Sequence, residues 1–216
     1  MYEFYMIPES LYCAKTRILL RYKQLEWKEI LPLGGYGSAE YKTIIPSGNL
    51  PAMIDGDFFI SDSEAIAEYL EEKNPNPSCL SKNIQTNAKI RELSRFNDSR
   101  LEPKLRQLFK IFDGHSIHRD FILDVSDEID QLLKQLNEML AIYEPYRPDH
   151  ITFADCGFAI TFSWIEELNN YLNMNIVYPE NVSKYYLSIK SYDPIIEELT
   201  HYKPILTRFL KDIFSS

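Results

Sequence analysis

The chain has no excess of positive charge. Its 216 residues carry 23 Lys and Arg against 32 Asp and Glu, a formal net charge of −9. Recognition of a phosphate backbone needs clustered Lys and Arg, so nucleic acid is not an expected partner. The acidic residues are spread out, with no acidic tail, and read as solubility. Cysteine is scarce. Cys13, Cys79 and Cys156 are an odd number at wide spacing and suggest neither a disulfide framework nor a zinc site. His115, His118, His150 and His201 show no metal-ligand spacing and are expected on the surface, with no metal. There is no apolar run of about eighteen residues and no secretory leader, so a soluble cytoplasmic protein without membrane partners is expected. Internal repeats and low-complexity tracts are absent as well.

What the chain does have is apolar and aromatic substance: 45% hydrophobic residues, fifteen Tyr and twelve Phe. That is ample for a core in one large domain or two small ones. Tyr2 to Ile7 reads as a buried strand, broken by Pro8-Glu9-Ser10. Ala14, Ile18, Tyr22 and Leu25 then recur at helical spacing, with Lys15, Arg17, Arg21 and Lys23 mostly off that stripe. Trp27 to Ile30 reads as a second strand, completing a βαβ unit with a right-handed crossover. Leu33 to Thr43 is rich in glycine, but no GK[ST] follows, so a mobile loop is expected rather than a phosphate loop.

The most organised stretch runs from Ser47 to Leu70. Asn49-Leu50-Pro51 leads into the strand Ala52-Met53-Ile54. Asp55-Gly56 signals a two-residue turn of type I′, which needs φ > 0 at both central positions. Phe58-Phe59-Ile60 returns as a strand. Ser61, Asp62 and Ser63 precede a helix with Ile66, Tyr69 and Leu70 on one face. Two polar clusters would meet here: the backbone around Pro51 and the N–H groups opening the Ser63 helix.

Pro75-Asn76-Pro77-Ser78 reads as a linker. The expected division is residues 1–74, a linker over 75–84, and an all-helical domain over 85–216. Pro103 should kink or restart the helix over Gln85–Phe112. Ile129, Leu132, Leu133, Leu136, Met139 and Leu140 form a core stripe, and Pro145 and Pro148 punctuate the next gap. Thr152-Phe153-Ala154-Asp155 is a capping box, with Ile151 placed for a hydrophobic staple. Further helices are expected around Ser183–Ser191 and Pro204–Ile213. Phe96, Tyr143, Phe158 and Trp164 are either core or the lining of an apolar pocket.

A βαβ-loop-ββα domain followed by an all-helical one resembles the cytosolic glutathione S-transferase family. Ser10 to Leu19 resembles the first-helix motif of its serine-type classes, zeta and tau, with Arg17 seven residues after Ser10. Ile45 to Pro51 resembles N-P-x-G-x-V-P, and Ile60 to Ile66 resembles L-x-[EQ]-S-x-A-I. Thr152 to Asp155 resembles the family's capping box, and Tyr192-Asp193-Pro194 a late R-P. The resemblance implies an α/β plus all-α fold, a thioredoxin-like domain and then a helical bundle. It also implies glutathione as co-substrate, a small electrophile, and a homodimer. Ser10 would be the catalytic donor to the glutathione thiol, and on position alone it is equally an ordinary N-cap. Leu50, before a cis Pro51, would pair its backbone with the cysteinyl part, with Asn49 a looser contact. Asp62 and Ser63 would hold the γ-glutamyl end, or simply cap their helix.

Four features depart from the pattern. Asp62 is shorter than Glu or Gln, Ile45 replaces Asn, Leu11 replaces the second serine of the zeta motif, and Lys42 matches no basic residue for the glycyl carboxylate. Ser10-Leu11-Tyr12-Cys13 also aligns with the C-P-Y-C of glutaredoxins, with serine for the first cysteine. That removes dithiol chemistry and leaves Cys13 either buried or available for a mixed disulfide. The implied activity is conjugation or cis–trans isomerisation by a serine-stabilised thiolate. The rival is a non-enzymatic interaction module resembling the stringent starvation proteins.

Overall fold

A computed structural model describes residues 1–113, 118–144 and 147–214. His115 and Pro145 lie outside the described residues. The chain opens with β1 (Tyr2–Tyr5), α1 (Leu11–Tyr22) and β2 (Trp27–Ile30), then α2 (Ala39–Lys42). β3 (Ala52–Asp55), β4 (Phe58–Ser61) and α3 (Ser63–Lys73) come after it. The sheet order is β2-β1-β3-β4, with β1 parallel to β2 and antiparallel to β3. This is the βαβ-ββα arrangement of a thioredoxin-like domain. A mostly helical part comes next: α4 (Ile84–Phe96), a π turn over Asn97–Leu101, α5 (Glu102–Arg106) and a 3₁₀ segment over Gln107–Asp113. It ends with α6 (Arg119–Tyr143), α7 (Phe153–Leu172), α8 (Glu180–Ile189) and α9 (Asp193–Phe214). Among the described residues no helix is long and apolar enough to cross a membrane.

α7 is the central pillar. It is buried nearly all round, and its start is held by the capping box. The Thr152 hydroxyl accepts from the Asp155 N–H at 3.4 Å, and the Asp155 carboxylate accepts from the Thr152 N–H at 2.8 Å. Satisfying these N–H groups internally lets a helix start inside the core.

Several expectations are corrected. The hairpin turn is Gly56-Asp57 rather than Asp55-Gly56, because Asp55 pairs with Phe58 across the ladder. Among these residues only Gly56, at φ +64°, takes the left-handed region, as a type II′ turn requires at its first position. The glycine-rich loop is not irregular throughout. Ser38 caps the short α2 by accepting from the Tyr41 N–H, which seats Tyr41 in the core. The final helix begins at Asp193, eleven residues before the expected start, and carries Pro204 inside it. The buried stripe of Ile195, Leu199, Tyr202, Leu206 and Leu210 runs across the proline, and that packing outweighs one missing helical bond. Pro103 sits in the first turn of α5, directly after the π turn over Asn97–Leu101, and the backbone stays right-handed helical at Leu101 and Glu102, so the helix runs on through a π turn before the proline instead of restarting.

Lys15 and Arg17 of α1 and Lys23 at its end, mostly off the apolar stripe, are nevertheless buried. Each is paired: Lys15 with Glu64 and Asp98, Arg17 with Glu198, and Lys23 with Glu71. α1 therefore lies between the sheet and the helical part, with ion pairs reaching both ways.

Candidate functional site

A cavity of about 670 Å³ opens where the start of α1 faces the helical part. Ser10, Asn49, Leu50, Asp62 and Ser63 all line it. Pro51 does not; it is buried just behind Leu50, and the Leu50–Pro51 peptide is cis.

Ser10 is the N-cap of α1, with φ −64° and ψ 124°. Its Oγ accepts from the Cys13 N–H at 3.3 Å. A hydroxyl that accepts through a lone pair keeps its own proton to donate, so the cap and a donor role are compatible in one side chain. The residue is anchored from the far end of the chain. The Tyr202 hydroxyl donates to the Glu9 carbonyl at 2.8 Å, and Arg17 donates to the Pro8 carbonyl at 3.4 Å while pairing with Glu198 at 2.7 Å. Cys13 is fully buried and does not line the cavity. Burial pushes its thiol up, against the opposing hydrogen bond from Ser10.

The β3–β4 ladder brings the second cluster to the first. Ala52 pairs with Ser61, and the Asp62 N–H continues the ladder to the Pro51 carbonyl at 3.3 Å. Asp62 then takes φ 86° and ψ 126°, a conformation rare outside glycine that costs on the order of 1–3 kcal/mol. Its Oδ1 accepts from the Glu64 and Ala65 N–H groups at 2.9 and 3.1 Å, which holds it there. Two N–H groups of the α3 start are thus taken by Asp62 itself. The Ser63 N–H and hydroxyl are the groups left at this helix end for a carboxylate. Asn49 is placed by its backbone, because buried Tyr41 donates to its carbonyl at 3.0 Å. Ile45 packs with Tyr5, Tyr41 and Ala52, so it supports this segment and does not line the cavity. Lys42 is exposed and is not part of the lining.

Sequence reasoning missed the opposite wall. Glu64, Arg95, Asp98 and Ser99 line it near Ser63. Glu64 is buried, accepts from Ser94 Oγ at 3.0 and 3.1 Å, and pairs with Lys15. Lys15 also donates to Asp98 at 2.5 Å. Burial alone would push the Lys15 ammonium down; Asp98 and Glu64 together hold it above its ordinary value. Two carboxylates here share the buried Lys15 cation, and the largely exposed Arg95 guanidinium lies 4.0 Å from the second Glu64 oxygen.

On the other side stand Tyr12, Arg106, Phe109, Trp164 and Phe209. Phe109 and Trp164 have ring centroids 4.7 Å apart, and the Trp164 indole N–H donates to Tyr202 at 2.6 Å. Trp164 is therefore both core and lining; Phe96 and Phe158 are core, and Tyr143 faces a separate cavity of about 340 Å³ between α6 and α8. The Arg106 guanidinium lies over the Tyr12 and Phe109 rings, 5.3 Å from each centroid. Tyr12 falls inside the first-helix motif and Trp164 was a candidate lining residue, but no motif marks Arg106, Phe109 or Phe209, which converge from separate elements.

Residues 4–78 match the family model for the glutathione S-transferase N-terminal domain. Glutathione S-transferase Z1 of Arabidopsis thaliana is 40% identical over 80 residues, 35% of this chain and 36% of the relative. A probable maleylacetoacetate isomerase of Caenorhabditis elegans is 28% identical over 150 residues, 65% of this chain and 68% of the relative. The chain spans about two-fifths of the length of the first curated relatives it matches. A solved delta-class glutathione transferase of Nilaparvata lugens superposes with a TM-score of 0.81 at 19% identity, covering 99% of this chain and 100% of that one. This last likeness is one of fold, and it extends over the helical part.

Proposed function

We propose that the chain is a member of the cytosolic glutathione S-transferase family, supported by the N-terminal domain match, the partial likeness to zeta-class relatives and the shared fold, and that it binds glutathione and uses its thiolate to conjugate or isomerise a small electrophile. Ser10 is the catalytic donor. Asn49, Leu50, Asp62 and Ser63 bind glutathione, with Leu50 pairing its backbone and Ser63 receiving the γ-glutamyl carboxylate, while buried Pro51 acts through the cis peptide that presents Leu50. Asp62 acts chiefly by shaping this corner, since one of its carboxylate oxygens already caps α3.

The observation that carries this reading is convergence. Ser10, Leu50 and Ser63 come from three separate segments and line one cavity. A free thiol with a pKa near 8.5 is only a few per cent ionised at neutral pH. Lowering it by about two units requires about 2.7 kcal/mol of preference for the thiolate. A hydrogen bond to a charged partner supplies about 1.5–3 kcal/mol, so the Ser10 hydroxyl meets most of that requirement and the α1 N-terminus adds to it.

The glutathione-binding domain is assigned to residues 1–74, the linker to 75–84 and the helical domain to 85–216. Three free buried cysteines suit a reducing cytoplasm. A homodimer is supported by the edge strand β4, which leaves Phe58 48% and Phe59 49% exposed.

The test is a glutathione titration by calorimetry and thiolate absorbance, for wild type and Ser10→Ala. Wild type should bind with an ionised thiol near neutral pH, and the variant should bind without ionising it. No heat and no thiolate from wild type at millimolar glutathione would remove the enzyme reading in favour of an interaction module.

A further inference from the structure

The cavity of about 340 Å³ between α6 and α8 shares no lining residue with the Ser10 cavity. Leu140, Tyr143, Glu144, Arg147, Lys184 and Tyr185 border it. Arg147 differs from the other sheltered cations in its partners. The chain is acidic overall, and the buried cations Lys15, Arg17 and Lys23 each pair with a carboxylate. Arg147 forms no ion pair among the described residues. It is half-buried and held by neutral groups instead. Its Nη2 donates to Ser188 Oγ at 2.6 Å, its guanidinium carbon lies 5.2 Å from the centroid of the Tyr185 ring, and the Tyr192 hydroxyl is close by. The Tyr185 ring is itself fixed, because its hydroxyl donates to buried Asp155 at 2.5 Å. A second polar group on this wall lacks a partner. Tyr143 is 2% exposed, and its hydroxyl is buried with no hydrogen-bond partner among the described residues.

We propose that this cavity binds a small organic acid, a carboxylate carried on an aromatic or apolar body. An arginine fork matches a carboxylate through two parallel N–H···O bonds. A guanidinium carries five N–H donors, and Ser188 and Tyr192 do not exhaust them. A ligand carboxylate gives the Tyr143 hydroxyl the acceptor it lacks, which removes the cost of a buried unpaired donor. Leu140 and the Tyr143 and Tyr185 rings supply apolar surface for the body of the ligand. Small-molecule cavities span about 300–1,000 Å³, and this one lies at the small end, which suits a single-ring acid. The charged groups in the lining are Arg147 and Lys184 against the exposed Glu144. Lys184 is shared with Glu180 at 2.6 Å, so recognition of the anion rests on Arg147. The site is independent of glutathione.

The probe is 4-fluorobenzoate, followed by its fluorine NMR signal in a titration of the full chain. Wild type should bind it saturably, with a Kd of about 1 mM or tighter. Arg147→Gln should weaken binding at least about tenfold, as for loss of a charge-assisted hydrogen bond. Arg147→Lys should recover only part of that loss, because the charge returns without the fork. Uncharged 4-fluorobenzyl alcohol should bind at least about tenfold more weakly than the acid. Tyr143→Phe should weaken binding of the acid about threefold or more without lowering the Tm of the unliganded protein, because the hydroxyl bonds to nothing in the fold. Saturating glutathione should leave the affinity for the acid within about twofold of its value without glutathione, since the two cavities are separate. No saturable binding by wild type, or equal affinity in wild type and Arg147→Gln, overturns the site. Displacement of the probe by glutathione places the acid in the Ser10 cavity and overturns it as well. Inorganic phosphate that displaces the probe as effectively as benzoate overturns the carboxylate class. A lower Tm for unliganded Tyr143→Phe gives that hydroxyl a role in the fold and overturns its part in binding.

Discussion

Tyr202 on α9 donates its hydroxyl proton to the Glu9 carbonyl, 193 positions earlier in the chain, at 2.8 Å. The last helix thus holds the backbone one residue before Ser10. The same hydroxyl accepts from the buried Trp164 indole at 2.6 Å, so it links the cavity wall to the donor.

Tyr202→Phe keeps the ring and removes both bonds. Leaving buried polar partners unsatisfied costs about 1–3 kcal/mol. In a chain of this size each kcal/mol shifts Tm by about 2–4 °C. Thermal denaturation should show a fall of a few degrees or more. Glutathione should still bind, with a bound thiol that ionises less fully because Ser10 is less firmly placed.

Lys15 is the cation between Glu64 and Asp98, buried to 2% exposure. Lys15→Met leaves carboxylates without their partner, which costs about 3–5 kcal/mol for a broken buried pair. The urea midpoint at neutral pH should drop accordingly. The pH dependence has a definite sign. The folded value of the Lys15 ammonium lies above its ordinary one, so its stabilisation is complete below about pH 10.4, the unfolded value. It is lost as pH rises through the folded value. The gap between wild type and variant should therefore narrow in strong alkali.

Asp155 is fully buried, accepts from Thr152 and receives the Tyr185 hydroxyl at 2.5 Å. Asp155→Ala strands those donors at the start of α7. Chemical denaturation should show a loss of roughly 3 kcal/mol or more, as at least two donors go unsatisfied. Asp155→Asn, which still accepts, should lose less. A loss equal for both variants would place the effect in charge rather than in the cap.

Cys13, Cys79 and Cys156 are all buried, and burial pushes each thiol up. Less thiolate at neutral pH means less reactivity. Native protein should react with an aromatic disulfide reagent far more slowly than free cysteine does, and three equivalents should appear on unfolding. Fast single-site labelling of Cys13 would restore the mixed-disulfide reading of that residue.

Much of the first domain was legible because its signals are local. A serine before a helix, a proline leading a strand, and Thr-x-x-Asp before an apolar run each act within a few residues. The turn type was misread because φ at Asp55 is set by its pairing with Phe58, a contact across the ladder. The start of α9 was misread because Pro204 was weighed alone, without the buried stripe that spans it. In the site, the residues in motifs were visible. Asp98 and Arg106 were not, and Glu64 and Tyr12, though inside quoted motifs, were not singled out, since nothing nearby in sequence says which face of their helices meets the cavity.

By itself the sequence determined the order of strands and helices, the caps, and which polar groups start α1 and α3, because these depend on contacts within a turn. Only the tertiary structure decided the fate of the charges on α1. Lys15 pairs with Glu64 and Asp98, 49 and 83 positions away, and Arg17 with Glu198, 181 positions away. Helical periodicity places a basic residue off the apolar stripe, but it cannot say whether water or a carboxylate waits there. In this chain the partners are carboxylates, because the helical part folds back over α1 and excludes water from that face.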